Sequence, residues 1–199
     1  MVSLNEYFIS KNINITEGHT GSNELQQKDI IEILRNNNFQ KIMEIGFNAG
    51  HSAELFLNHS NAYVYSFDIG DHFHQYLKYG KKYINNKYPD RHTIVFGNSL
   101  ESVPRFKNNN NITFDLVFID GGHDYEIAYA DLINCRNLSN KDTIVIMDDI
   151  VKNPAYVVNY TIGPSMAWNK LIELNMMKEI SHSDYSKGRG QSVGKFIYN

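Results

Sequence analysis

From about residue 24 onward the chain alternates short apolar runs with amphipathic stretches. Leu25, Ile30, Ile31, Ile33 and Leu34 recur near helical spacing and stop at Asn36-Asn37-Asn38, so they predict a helix and a turn. Lys41-Ile42-Met43-Glu44-Ile45 then reads as a buried strand, and about His51 to Asn58 as a helix. The same alternation continues with a strand at Ala62–Phe67, a helix at Phe73–Asn86 and a strand at Thr93–Phe96. A short helix near Leu100–Phe106, a strand at Phe114–Ile119, a helix at Tyr125–Leu138 and a strand at Thr143–Met147 complete it.

Strand–helix–strand alternation implies a parallel sheet with helices on both faces. The end of the chain differs. Met166–Leu174 reads as a helix, and Met177–His182 and Ser192–Tyr198 as two strands joined through Gly188-Arg189-Gly190 without a helix between them. The expected fold class is therefore α/β: a doubly wound, Rossmann-like, mostly parallel seven-stranded sheet with a C-terminal antiparallel hairpin. Residues 24–199 form its one domain. Residues 1–23 lack periodicity and read as an N-terminal arm or lid, with Glu17-Gly18-His19-Thr20-Gly21-Ser22 able to cover a site.

Composition narrows the class. Hydrophobic residues make up 42% and charged residues 21% of the 199, which excludes wholesale disorder. A net charge of −3 argues against a broad nucleic-acid surface. The single cysteine, Cys135, can form no disulfide within the chain and no all-cysteine metal site. No apolar run approaches the roughly 20 residues that span a bilayer, and the first residues show no signal-peptide core. A cytoplasmic protein with no membrane partner is expected; the oligomeric state is left open.

Chemistry concentrates where the strands end. In doubly wound sheets, ligands bind outside the carboxyl ends of the strands where the winding reverses. The first strand runs into Gly46-Phe47-Asn48-Ala49-Gly50-His51-Ser52, a Gly-x-x-x-Gly loop before a helix N-terminus. It departs from the Gly-x-Gly-x-x-Gly that cradles a pyrophosphate, which disfavours a nicotinamide-dependent oxidoreductase. The second strand ends at Asp68, placed to accept hydrogen bonds from ribose hydroxyls, and the third at Gly97-Asn98-Ser99, whose side chains would meet an adenine edge.

The fourth strand runs into Asp120-Gly121-Gly122-His123, and the fifth into Asp148-Asp149. Carboxylates on neighbouring parallel strand ends share a crevice and repel one another, and a hard cation such as Mg²⁺ relieves that repulsion. Asp120, Asp148 and Asp149 are the candidate metal ligands. His123 titrates near neutrality and suits a general base acting beside Asp120. The plainer reading makes Asp120 and Asp149 helix caps and gives His123 a backbone carbonyl partner. Tyr156, Tyr160 and Trp168, in the stretch after the fifth strand, either wall a ring-shaped acceptor or pack the last helix.

The segment Glu44-Ile-Gly46-Phe-Asn-Ala-Gly50-His-Ser52 resembles the first S-adenosylmethionine (SAM) motif of class I methyltransferases, in the form found in catechol O-methyltransferase-like enzymes. The stretch Ile119-Asp120-Gly-Gly-His123-Asp-Tyr125-Glu-x-x-x-x-Asp131-Leu132, followed by Ile146-Met-Asp148-Asp149-Ile150, is similar to the methyltransferase-24 family and to metal-dependent macrolide sugar O-methyltransferases. The resemblance covers roughly residues 40–150. It implies that Glu44 and Gly46 lie by the methionine part of SAM, that Asp68 holds the ribose and that Ser99 lies by the adenine; Gly50, Ser52, Asn98 and Asp120 complete the expected cofactor-binding set. It further implies Mg²⁺ on Asp120 and Asp149, joined by Asp148 in the catechol-type pattern, and a base at His123. Where the family often has Gly-Gly before the fifth strand, this chain has Ser139-Asn140-Lys141-Asp142.

The function expected is methyl transfer from SAM to a hydroxyl of a small molecule, a sugar or glycoconjugate first and a catechol-like compound second. The alternative of another class is a catalytically inert SAM-binding partner protein. A nucleic-acid substrate is disfavoured by the acidic balance and by the missing Asn-Pro-Pro-Tyr-type motif.

Overall fold

The computed structural model describes residues 2–16, 19–70 and 75–198. Seven strands form one sheet: β1 (Lys41–Ile45), β2 (Tyr63–Asp68), β3 (His92–Phe96), β4 (Leu116–Ile119), β5 (Ile144–Asp148), β6 (Met177–Ser186) and β7 (Arg189–Phe196). Their order across the sheet is β3-β2-β1-β4-β5-β7-β6. The first five are parallel, and β7 runs antiparallel between β5 and β6. This is the expected doubly wound sheet with its terminal hairpin. The winding proceeds outward from β1 through β2 to β3, then reverses to β4, so the switch point lies between β1 and β4.

Alternation along the central strands explains the layers. Ile42, Leu116, Phe118 and Ile146 face one core; Met43, Val117, Ile119, Val145 and Met147 face the other. Strands apolar on both sides need cover on both sides. The first face is covered by α1 (Leu4–Ser10), α2 (Glu24–Arg35), α3 (His51–His59) and α4 (Gln75–Lys87). The second is covered by α5 (Ser99–Asn109), α6 (Tyr125–Arg136) and α7 (Asn159–Glu173).

Three boundaries differ from the sequence reading. Helix α7 begins at Asn159, a full two turns before Met166, because Gly163 and Pro164 are carried inside it. Pro164 is the sixth residue of the helix, so it cannot supply the N–H that a helix interior directs at the Tyr160 carbonyl. Strand β7 begins at Arg189, so the turn is shorter and the strands longer than expected. At the N-terminus, Ser3 and Glu6 form a reciprocal capping box that starts α1, and Leu4 and Phe8 of that helix are buried in the first core. Residues 20–22 form a 3₁₀ turn ahead of α2. Glu17 and Gly18 of the expected lid, and Phe73 and His74 at the expected start of α4, lie outside the described residues. No helix among the described residues is long and apolar enough to cross a membrane.

Candidate active site

Loops following β1 to β5 open into a cavity of about 590 Å³ at the switch point. Gly46 stands at its centre. Its φ of +93° suits glycine, and a Cβ there would run into the Asp120 carbonyl oxygen, so the β1 and β4 loops close together only because the side chain is absent.

On the β2–β3 side, Asp68 organises the wall. One carboxylate oxygen accepts the backbone N–H groups of Phe47 (3.0 Å) and Asn48 (2.9 Å); the other accepts that of Gly70 (2.9 Å). The loops after β1 and β2 are thus fixed by one side chain. Asn98 caps α5 through its side-chain oxygen and the Leu100 N–H (3.0 Å), and Asn98 and Ser99 both line the cavity. Tyr76 and Leu77 of α4 add an apolar wall that the sequence reading missed.

Glu44, Gly50 and Ser52 do not line this cavity. Glu44 is fully buried behind it, where Ser52 (2.7 Å) and Ser66 donate hydroxyl hydrogen bonds to its carboxyl group. Burial pushes Glu44 up to about 7, against the lowering effect of both serines. A smaller cavity of about 200 Å³, lined in part by Asn5, His51 and Glu54, holds none of the acidic cluster described next.

On the β4–β5 side, Asp120, His123 and Asp149 converge, with one ligand atom from each within 4.8 Å of the others. His123 Nε2 lies 2.9 Å from Asp149 Oδ2. Asp149 has φ +59°, a left-handed conformation that turns it away from its neighbour. Asp148 therefore points elsewhere: its Oδ1 accepts the Asp149 N–H (2.8 Å), and Gln26 of α2 faces it. Two adjacent acids in the sequence thus occupy different places, Asp149 in the cavity wall and Asp148 behind it.

The electrostatics follow from crowding. Burial, then the charges of Asp148 and Asp149, hold Asp120 well above the ordinary carboxylate range. Burial and the Asp149 charge carry Asp148 up to about 7. The Asp149 carboxylate raises His123, and burial opposes it. Asp120, His123 and Asp149 form a donor set of two oxygens and a nitrogen that fits a divalent cation. Behind Gly121 lies Asp131 of α6, raised to about 6 by burial, with Ser99 acting in the opposite sense.

Of the aromatic residues after β5, Tyr160 lines the cavity, with its ring centroid 5.5 Å from that of His123. Trp168 is wholly buried in the second core and donates its indole N–H to Glu179 (2.8 Å). Tyr156 does not line the cavity. Arg189, the first residue of β7, does, and the sequence reading placed it in a turn.

A family model described as a methyltransferase domain matches residues 43–150, more than half of the chain. Among solved structures, the chain is similar to an O-methyltransferase from Bacillus cereus in complex with SAH (S-adenosylhomocysteine). Identity is 18%, with 98% of this chain and 90% of that chain covered and a TM-score of 0.76. It is also similar to the O-methyltransferase TomG from Streptomyces achromogenes, involved in tomaymycin synthesis, in complex with SAM (14% identity, 98% and 88% covered, TM-score 0.73). A third is CalS11, a TDP-rhamnose 3'-O-methyltransferase of calicheamicin biosynthesis (20% identity, 84% and 76% covered, TM-score 0.64). At these identities the likeness is one of fold. No curated protein sequence matches the chain. The matched segment runs from β1 to the residue after Asp149, so it takes in the carboxyl ends of all five parallel strands, and the chain belongs to the methyltransferase-24 family of methyltransferase domains.

Proposed function

We propose that this chain is a SAM-dependent O-methyltransferase acting on a hydroxyl group of a small molecule, most readily a sugar or glycoconjugate. The observation that carries the reading is one cavity with two chemically distinct ends. Asp68, Asn98 and Ser99 line one end, and Asp120, His123 and Asp149 the other. The structural neighbours named with SAM or SAH support the donor, and the TDP-rhamnose enzyme supports a sugar acceptor. The single buried thiol, Cys135, suits the reducing cytoplasm.

The Asp68 carboxylate is already oriented by backbone N–H groups, and the oxygen that accepts only the Gly70 N–H retains a lone pair for a ribose hydroxyl. Glu44, Gly50 and Ser52 serve the donor from behind: the Ser52–Glu44 bond ties the first turn of α3 to β1, which holds the Gly46 loop. The donor supplies a methyl group on a sulfonium, whose departure leaves a neutral thioether. Asp120 and Asp149, with Asp148 behind them, would hold Mg²⁺, which supplies Lewis-acid lowering of the acceptor hydroxyl pKa. His123 removes the hydroxyl proton, the oxygen lone pair forms the new bond to the methyl carbon, and the sulfur–carbon bond breaks. Asp149, 2.9 Å from the imidazole, steadies the cation so formed. Tyr160 stands beside His123 and shields that step from water.

A second reading follows from the spacing of the cluster, in which His123 is itself the third metal ligand. The two differ in one measurement. As a base, His123→Ala leaves Mg²⁺ affinity nearly intact; as a ligand, it lowers that affinity sharply.

The reading as a whole is tested by titrating the purified protein with SAM and SAH in a calorimeter, then assaying SAH release with Mg²⁺ and a panel of sugar and catechol hydroxyl acceptors. Binding with turnover supports it. Binding without turnover on any acceptor favours an inert SAM-binding partner, and no binding rejects it.

A further inference from the structure

Arg189 is the one lysine or arginine among the described residues lining the cavity. It opens β7, which pairs with β5 and so lies beyond Asp149 from the Asp68 end. Its guanidinium offers five N–H donors in a planar fork. Among the described residues the side chain makes one hydrogen bond, a long one of 3.4 Å to Ser22 Oγ, and has no carboxylate within 4.0 Å. A guanidinium serving only as counter-ion to the acidic cluster would sit against one of its carboxylates. Here its charge reaches Asp120 and Asp148 only through space.

The backbone beside it is held firmly. The Gly188 N–H bonds to the Tyr156 carbonyl (2.7 Å), and the Tyr160 hydroxyl donates to the Gly188 carbonyl (3.1 Å). Tyr160 is also the ring beside His123. The fork and the proposed base are thus set in register through one side chain, and both open on the same space.

We infer that Arg189 is an anion receptor for the methyl acceptor, binding a carboxylate or phosphate carried by the molecule whose hydroxyl stands at His123. The inference rests on the methyltransferase reading above. A planar fork with free donors matches the two oxygens of such a group in a way that an ammonium does not.

The test uses the full chain with Mg²⁺ and SAH. Calorimetric titration with SAH alone first checks the methyltransferase reading; if wild-type protein does not bind SAH, that reading falls and this one with it. The SAH complex is then titrated with two pairs of probes: catechol against 3,4-dihydroxybenzoate, and glucose against glucose 6-phosphate. The expected result is that the charged member of at least one pair binds about tenfold more tightly or better. Which pair shows the preference tells a carboxylate from a phosphate. Arg189→Gln should erase the difference and Arg189→Lys retain part of it, with SAH affinity within about twofold of wild type in both. Retained SAH binding also shows that the variants are folded. Equal affinity within both pairs, or no binding of any probe while SAH binds, overturns the inference. So does a loss of SAH affinity in Arg189→Gln, which would put the fork on the carboxylate of the donor instead.

Discussion

His123 and Asp149 come from the loops after β4 and β5, and their side chains meet with 2.9 Å between Nε2 and Oδ2. The contact depends on the left-handed backbone of Asp149, which separates its side chain from that of Asp148. An imidazole paired with a carboxylate in this way is both oriented and made more basic.

His123→Ala should therefore lower turnover by about a hundredfold or more. SAH affinity, measured by calorimetry, should remain within about twofold of wild type. Asp149→Asn should act in the same direction. Parallel losses of turnover and SAH affinity would contradict a role confined to the acceptor end.

Turnover should vanish in excess chelator and return with added Mg²⁺. Asp120→Asn should raise the Mg²⁺ concentration needed for half-maximal rate, because it removes one charge from the donor set of Asp120, His123 and Asp149. Full activity in chelator would remove the metal from the mechanism.

Asp68→Ala leaves the N–H groups of Phe47, Asn48 and Gly70 without their acceptor. Each lost charge-assisted bond is worth about 1.5–3 kcal/mol, so the loops that frame the donor should loosen together. SAH affinity should fall by about tenfold or more, and the thermal stabilisation that SAH confers should shrink with it.

Burial raises Glu44 to about 7, with Ser52 and Ser66 acting against it. The folded state therefore favours the protonated carboxyl. Its contribution to stability is complete below the ordinary value of 4.5 and is lost as pH rises through about 7. Urea unfolding of wild type should show that decline between about pH 5 and pH 8, and Glu44→Gln should flatten it. An unchanged slope would mean that Glu44 is ionised in the folded protein.

Much of this was legible before any coordinates. The alternation of Ile42, Met43, Val117 and Phe118 marked central strands covered on both faces, and the order of Gly46, Asp68, Ser99 and Asp120 marked successive strand ends. What escaped the sequence has physical reasons. Helix α1 is seven residues long, too short for periodicity to show, though Ser3 with Glu6 was a readable start signal. Helix α7 starts earlier than Met166 because it carries Gly163 and Pro164, two residues of poor helix propensity. The separation of Asp148 from Asp149 depends on one backbone dihedral, and no residue pattern encodes it. Glu44 was readable as part of a motif but not as a residue screened from the cavity. Arg189 was hidden because a residue between two glycines reads as a turn.

Gly163 gives a further test at a distance from the reacting groups. A Cβ there would lie 2.7 Å from the Tyr125 backbone nitrogen and would also strike the His123 carbonyl oxygen. In an open helix, alanine is better than glycine by about 1 kcal/mol. Here overpacking, at about 1–3 kcal/mol, should outweigh that gain. Gly163→Ala should lower the unfolding midpoint and the turnover rate while leaving SAH affinity unchanged, because only the His123 loop is pushed.

On the proposed reading, the order of strands across the sheet puts the two reactants on opposite flanks, Asp68 and Ser99 with β2 and β3, Asp149, Tyr160 and Arg189 with β5 and β7. Divergence along the chain is then partitioned as well. Mutations accumulating in the last forty or so residues can retarget which compound is decorated while the machinery for the common currency of methylation is inherited intact. A lineage built on this plan can explore new chemistry from one rim inward.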